Sequence, residues 1–229
     1  MKKLSLTSLL LMTIVVFTSC SVETDPVLEE QTSLSSRDIF EKPPTVQRNP
    51  DGSYYLGYEL KDGVAADIIT DDATNTKSIN AYSSDNQMQK KFNEGLSLNG
   101  KDSFTVGVNT ETDKGSTITI LDDDIKFSRN PKKDHLKEYG IDENGDGTYT
   151  LNFTVKNNIK VDFIQNQDTG VYEIHLDRGD SSEKDFSRTF TKEEDEDLKI
   201  SFVNYYYSNT GRALDSVEKS EKPKIIVGN

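Results

Sequence analysis

Asp51–Ala81, DGSYYLGYELKDGVAADIITDDATNTKSINA, returns 95 residues later as Asp146–Leu176, DGTYTLNFTVKNNIKVDFIQNQDTGVYEIHL, in one ungapped register. Nine of the thirty-one aligned positions are identical, and the apolar ones carry the argument. Tyr54, Leu56, Tyr58 and Leu60 fall on Tyr149, Leu151, Phe153 and Val155. Val64, Ala66 and Ile68 fall on Ile159, Val161 and Phe163, and Ile79 and Ala81 on Ile174 and Leu176. Apolar residues at every second position give the period of strands with one buried face. A repeat of this length, in a chain long enough for two small cores, predicts two homologous domains.

Turn chemistry and alternation place the elements. Asn49-Pro50-Asp51-Gly52 opens the first copy, and Lys61-Asp62-Gly63 joins strands Tyr54–Leu60 and Val64–Ile69. Lys77–Tyr82 reads as a third strand, and Phe104, Val106 and Val108 alternate, as do Ile118 and Ile120. Gln87–Leu98 fits a short helix or a strand. In the second copy, strands Thr148–Val155, Ile159–Gln165 and Val171–Leu176 follow the same plan. Phe186 answers Phe92 after a one-residue slip, and Ile200 and Phe202 answer Val106 and Val108. Leu198–Tyr207, Arg212–Val217 and Lys224–Val227 are the last expected strands. Short strands at this spacing predict an all-β protein of two tandem β-sandwich (Ig-like) or small barrel domains. The expected divisions are a signal segment at 1–19, a polar tether at 20–48, a first domain at 49–127, a connector at 128–140 and a second domain at 141–229. Within the tether, Leu34, Ile39 and Phe40 are the residues able to add an edge segment to the first domain.

The 229 residues carry 27 Lys and Arg against 40 Asp and Glu, a net charge of −13. Residues 1–19 hold Lys2 and Lys3 and no acid; without them 25 bases face 40 acids, or −15. Such a body repels phosphate backbones and anionic headgroups, which argues against a nucleic-acid partner.

Lys2 and Lys3 precede the apolar run Leu9–Phe17, too short to span a bilayer, and Phe17-Thr18-Ser19-Cys20 closes it. This segment resembles the lipobox of bacterial lipoproteins, in the looser form of Bacteroidetes and spirochaetes, with Phe17 where Leu is usual. The resemblance implies cleavage between Ser19 and Cys20 and acylation of Cys20, the only cysteine in the chain. Acyl chains contribute about 0.8 kcal/mol per buried CH₂, so two or three of them anchor a body that does not itself span. Ser21, rather than Asp, follows the cysteine, which by resemblance to enterobacterial lipoprotein sorting favours the outer over the inner membrane.

Asp142-Glu143-Asn144-Gly145-Asp146-Gly147 matches the opening of an EF-hand-type calcium loop, making Asp142, Asn144 and Asp146 candidate ligands. The twelfth position, which should be a bidentate Glu, is Phe153, and no helical pattern flanks the match. The first copy keeps only Asp51-Gly52, so the shared feature is the turn. The segment Asn144–Thr150 also resembles the NGDGTYT of filamin-type and invasin-type Ig-like repeats, which implies a sandwich with a Tyr at a sheet corner and carries no functional residue.

Tyr205-Tyr206-Tyr207 is the candidate contact stripe, because an exposed Tyr offers area and a hydroxyl to a protein or glycan partner. His135 lies in the Lys-rich connector, and His175 is expected on the solvent face opposite Ile174 and Leu176. No metalloprotease, nucleophile-elbow, phosphate-loop or Cys-His pattern occurs. The acid runs at Asp71-Asp72, Asp122–Asp124 and Glu193–Asp197 read as solvated loops. The expectation is an exported, lipid-anchored cell-envelope protein, not an enzyme, acting as a binding or scaffold module. Two further readings stand beside it: a glycan-binding accessory lipoprotein of an outer-membrane uptake system, and a calcium-stabilised adhesin-like surface protein.

Overall fold

The computed structural model describes residues 36–97, 100–110, 114–122, 135–207 and 217–229. After one helical turn, Ser36–Ile39, the first repeat runs through β1 (Phe40–Arg48), β2 (Tyr54–Leu60), β3 (Val64–Asp71), β4 (Thr76–Ser83), β5 (Lys91–Leu96), β6 (Ser103–Thr110) and β7 (Lys114–Leu121). The second runs through β8 (Leu136–Glu143), β9 (Thr148–Val155), β10 (Ile159–Gln165), β11 (Tyr172–Arg178), β12 (Asp185–Thr191), β13 (Leu198–Tyr207) and β14 (Val217–Gly228). The ambiguous segment at 87–98 thus holds a strand, β5.

The alternation seen in the sequence is the inner face of the strands. Tyr54, Leu56, Tyr58 and Leu60 are buried, and so are Tyr149, Leu151, Phe153 and Val155. Each large side chain removed from water this way contributes about 1.5–3 kcal/mol. The expected slip between copies is also present. Tyr58 and Phe92 stack at 4.5 Å with an interplanar angle of 8°, and Phe153 and Phe186 stack at 5.1 Å and 13°.

Each repeat has the same wiring. The first and fifth strands flank the second in one sheet, while the third, fourth, sixth and seventh form part of the other. The fourth and sixth pair in parallel in both copies, unlike the antiparallel sheets of an immunoglobulin sandwich. The two halves are then joined within both sheets. The six-stranded sheet has the order β12-β9-β8-β1-β2-β5, and the eight-stranded sheet β10-β11-β13-β14-β7-β6-β4-β3.

Both junctions are antiparallel and self-equivalent. The 95-residue offset makes Ile141 the counterpart of Val46, and these two residues pair directly across β1 and β8. In the other sheet Val106 pairs with Ile118 and its counterpart Ile200 pairs with Ile225, so Ile226 is the counterpart of Thr119. Thr119 pairs with Ile226. A pseudo-two-fold axis therefore pierces both sheets.

This corrects the expected organisation. The segments 49–127 and 141–229 are not two separate tandem sandwiches but halves of one sandwich. Left apart, β1, β7, β8 and β14 would each present an unpaired edge; pairing them satisfies those backbone groups. The tether expected at 20–48 is also too long, since Phe40–Arg48 is β1 and Ile39, Phe40 and Val46 are buried. In the connector, residues 136–140 belong to β8, and 123–134 lie outside the described residues. The strand expected at 224–227 is part of β14, while 212–216 also lie outside them.

Candidate functional site

The turn that opens each repeat is the same device twice. Asn49 N donates to the Ser53 carbonyl at 2.8 Å, and Asn144 N to the Thr148 carbonyl at 3.0 Å. Asp51 Oδ1 accepts from Ser53 N (2.9 Å) and Oγ (2.6 Å); Asp146 Oδ1 accepts from Thr148 N (3.0 Å) and Oγ1 (2.5 Å). Gly52 and Gly147 hold φ of 85° and 80°, the left-handed region that favours glycine. Asp and Asn side chains that bond the backbone two residues on are turn formers.

The proposed calcium ligands are held by this turn and its neighbours. Asn144 Nδ2 donates to Thr148 Oγ1 and Thr150 Oγ1, at 2.9 and 3.0 Å. Asp142 lies in β8, where Oδ1 accepts from Thr45 Oγ1 at 2.5 Å and Oδ2 from Asn152 Nδ2 at 3.0 Å. Its carboxylate stitches the two repeats together beside the pseudo-axis. Among the described residues no group of three or more His, Cys, Asp or Glu is arranged to hold a metal. Both Asp142 oxygens and Asp146 Oδ1 accept from protein donors, while Asn144 engages its neighbours as a donor.

Within the tyrosine stripe, Tyr205 is tied into a hydrogen-bonded chain. Tyr205 Oη is 2.7 Å from His175 Nδ1, and His175 Nε2 is 2.7 Å from Glu173 Oε2. With Nε2–H donating to the carboxylate, Nδ1 accepts from the phenol. Asn166 Nδ2 holds the other Glu173 oxygen at 3.0 Å. His175 does take the face opposite Ile174 and Leu176, but these neighbours leave its side chain only 16% exposed. His135 is buried, not a surface connector residue; its Nε2 meets the Tyr205 carbonyl at 2.8 Å and its ring lies 5.6 Å from that of Tyr206. Tyr205 and Tyr206 are both half-buried, and the side chain of Tyr207 lies outside the described residues, as do Ser19 and Cys20. Both histidines of the chain thus converge on one tyrosine-bearing strand. Sequence reading missed Glu173, although its spacing of two from His175 places both on one face of a strand.

A concave site forms instead on the outer face of the six-stranded sheet, against the second repeat. Outward positions there run Ser187, Asn152, Gly140 and Gln47 across four adjacent strands. Gly140 leaves a gap in that row, and Gln47 Oε1 leans into it, 2.5 Å from where a Cβ would stand. The result is a cavity of about 340 Å³ whose walls also include Glu138, Thr154 and Asp185. Thr154 Oγ1 donates to Asp185 Oδ1 at 2.7 Å, fixing one wall. Its size is that of a small-ligand site. Amides, hydroxyls, two carboxylates and the aromatic residues Tyr139, Phe153 and Phe186 line it, with no Lys or Arg among the described residues, so it suits a neutral or cationic group with both polar and apolar parts.

Comparison with known proteins finds no matching family model, no matching curated sequence and no matching solved structure.

Proposed function

We propose that this chain is an exported lipoprotein of the bacterial cell envelope, anchored through acylated Cys20 at the outer membrane, whose β-sandwich acts as a non-catalytic binding or scaffold module. The observation that carries the reading is the position of the only cysteine, directly after the short apolar run Leu9–Phe17 and the small residues Thr18 and Ser19. The sandwich beginning at Phe40 gives such an anchor a stable body to carry, and the cleft over Gly140 gives that body a place to hold a partner. Labelled palmitate should enter the wild-type chain and globomycin should block its processing. Both effects should be absent in Cys20→Ala; label that persists in that variant contradicts the reading.

A glycan is the second reading for the partner, favoured by the amide and hydroxyl lining of the cleft from Gln47, Asn152, Thr154 and Ser187. Affinity electrophoresis through a panel of polysaccharides tests it. Retardation that disappears in Asn152→Ala supports a glycan ligand, and unretarded migration throughout excludes it.

A further inference from the structure

The pseudo-two-fold axis allows each half of the sandwich to be checked against the other, and one pair of counterparts is chemically opposite. Arg48 ends β1, and the residue 95 places on, Glu143, ends β8. Arg48 is provided for. Its Nε lies 3.6 Å from Asp122 Oδ2, and its Nη1 reaches the Lys137 carbonyl at 3.5 Å, across to the strand beyond the β1–β8 pairing. Asp122 also accepts from Tyr54 Oη at 2.8 Å.

Among the described residues the other end lacks the matching ion. Glu143 is only 7% exposed, and its Oε2 is buried with no hydrogen bond. By the register that makes Ile225 the counterpart of Ile118, Asn229 takes the place of Asp122. Its side chain is turned to Lys192 and to the Glu194 carbonyl.

Beside Glu143 the strands part. β1 shifts register between Phe40 and Lys42 and again between Lys42 and Thr45, and its pairing with β8 stops at Thr45–Asp142. Pro43 and Pro44 have no N–H with which to continue the ladder. The parting leaves a recess of about 330 Å³ between Phe40, Glu41 and Pro43 on one side and Glu143 to Asp146 on the other. Alternation along β8 directs Glu143 inward with Tyr139 and Ile141, and Glu143 is among the residues that line this recess. Three carboxylate residues, Glu41, Glu143 and Asp146, line it, and no Lys or Arg among the described residues does.

We propose that this recess is a binding site for a guanidinium group, which supplies to Glu143 the cation that Arg48 supplies to Asp122 at the other end. A planar guanidinium offers paired donors to a carboxylate, and its weak hydration suits a partly enclosed site. The Phe40 and Pro43 walls accept the alkyl stem of such a side chain. The source is either an arginine of a partner polypeptide or a small guanidino compound, and the two are separable by experiment.

The full chain in detergent is titrated calorimetrically with arginine amide, with Gly-Gly-Arg-Gly-Gly and with Gly-Gly-Gln-Gly-Gly. Saturable binding of the two arginine probes but not the glutamine peptide is expected. Glu143→Gln should weaken it by about tenfold or more, the loss of one charge-assisted bond. Glu41→Gln, a change at the exposed rim, should weaken it by a smaller factor and covers the case in which the buried variant misfolds. Tighter binding of the peptide assigns the site to a polypeptide arginine, and equal binding to a small guanidino compound. Absence of saturable binding overturns the proposal, as does affinity unchanged in both variants.

Discussion

Val46 of β1 is paired with Ile141 of β8, the residue it corresponds to in the second repeat, and both are fully buried. The contact is therefore one repeat meeting itself across the axis. Its loss should weaken both halves together. Ile141→Ala is expected to cost about 2–5 kcal/mol, through lost transfer energy and the cavity left behind. Urea unfolding should show one midpoint moved down, the same by circular dichroism and by tyrosine fluorescence. A shift seen by one probe alone contradicts the shared core.

The alkaline limit of the fold should be set by buried phenols. Tyr54 is held well above its ordinary value by burial first, then by Tyr139 and the Asp122 carboxylate; Tyr139 is likewise raised by burial. Burial, with Glu143 adding to it, pushes Tyr149 up to about 12. A phenol whose native pKa is raised keeps its proton longer in the folded state. Its contribution is whole below the unfolded value of about 10 and is lost as pH rises through the native value. Stability should thus decline from about pH 10 upward, and phenolate absorbance should show a late group of tyrosines that ionise only with unfolding. Titration of all tyrosines before unfolding contradicts this.

Burial raises Glu143 as well, with the Ser116 hydroxyl offsetting part of the effect. The sign follows from the same linkage: native protein binds the proton more tightly, so the contribution is present below the usual carboxylate range and is lost as pH rises through the raised native value. Glu143→Gln should be more stable than wild type at neutral pH, and the difference should vanish in acid. Urea midpoints of the two proteins across that range give the comparison. A variant less stable than wild type at neutral pH contradicts a buried carboxylate that has no cationic partner among the described residues.

The strands of this fold were legible and their neighbours were not. Alternation at Tyr54–Leu60 and Thr148–Val155 reports which side chains face inward, and it reports nothing about which strand lies alongside. Two copies of one pattern suit two separate sandwiches or one shared sandwich equally well, and the pairings of Val46 with Ile141 and of Thr119 with Ile226 separate them. β1 was hidden because Lys42, Pro43 and Pro44 resemble a tether, leaving Phe40 and Val46 as sparse inward signals. Asp142, Asn144 and Asp146 matched a cation loop by spacing. Their partners Thr45, Thr148, Thr150 and Asn152 come partly from another strand of the sheet, which spacing along one chain does not show. The stripe at Tyr205 was visible as a stripe. Its bond to His175 depends on the parallel pairing of β11 with β13.

The repeated turn predicts matched behaviour in its two copies. Asp51→Ala and Asp146→Ala should each lower the thermal midpoint by a similar small amount, since each removes the same pair of bonds to Ser53 or Thr148. Millimolar calcium should leave the wild-type midpoint unmoved. A midpoint that rises with calcium, and no longer does so in Asp142→Ala, contradicts the structural reading of this turn.

The most direct test of the shared sandwich is differential scanning calorimetry of the full chain. Two repeats joined by backbone pairing in both sheets should melt as one cooperative unit, with a single peak whose calorimetric and van't Hoff enthalpies agree. Two resolved transitions, each with about half the total enthalpy, would contradict the account.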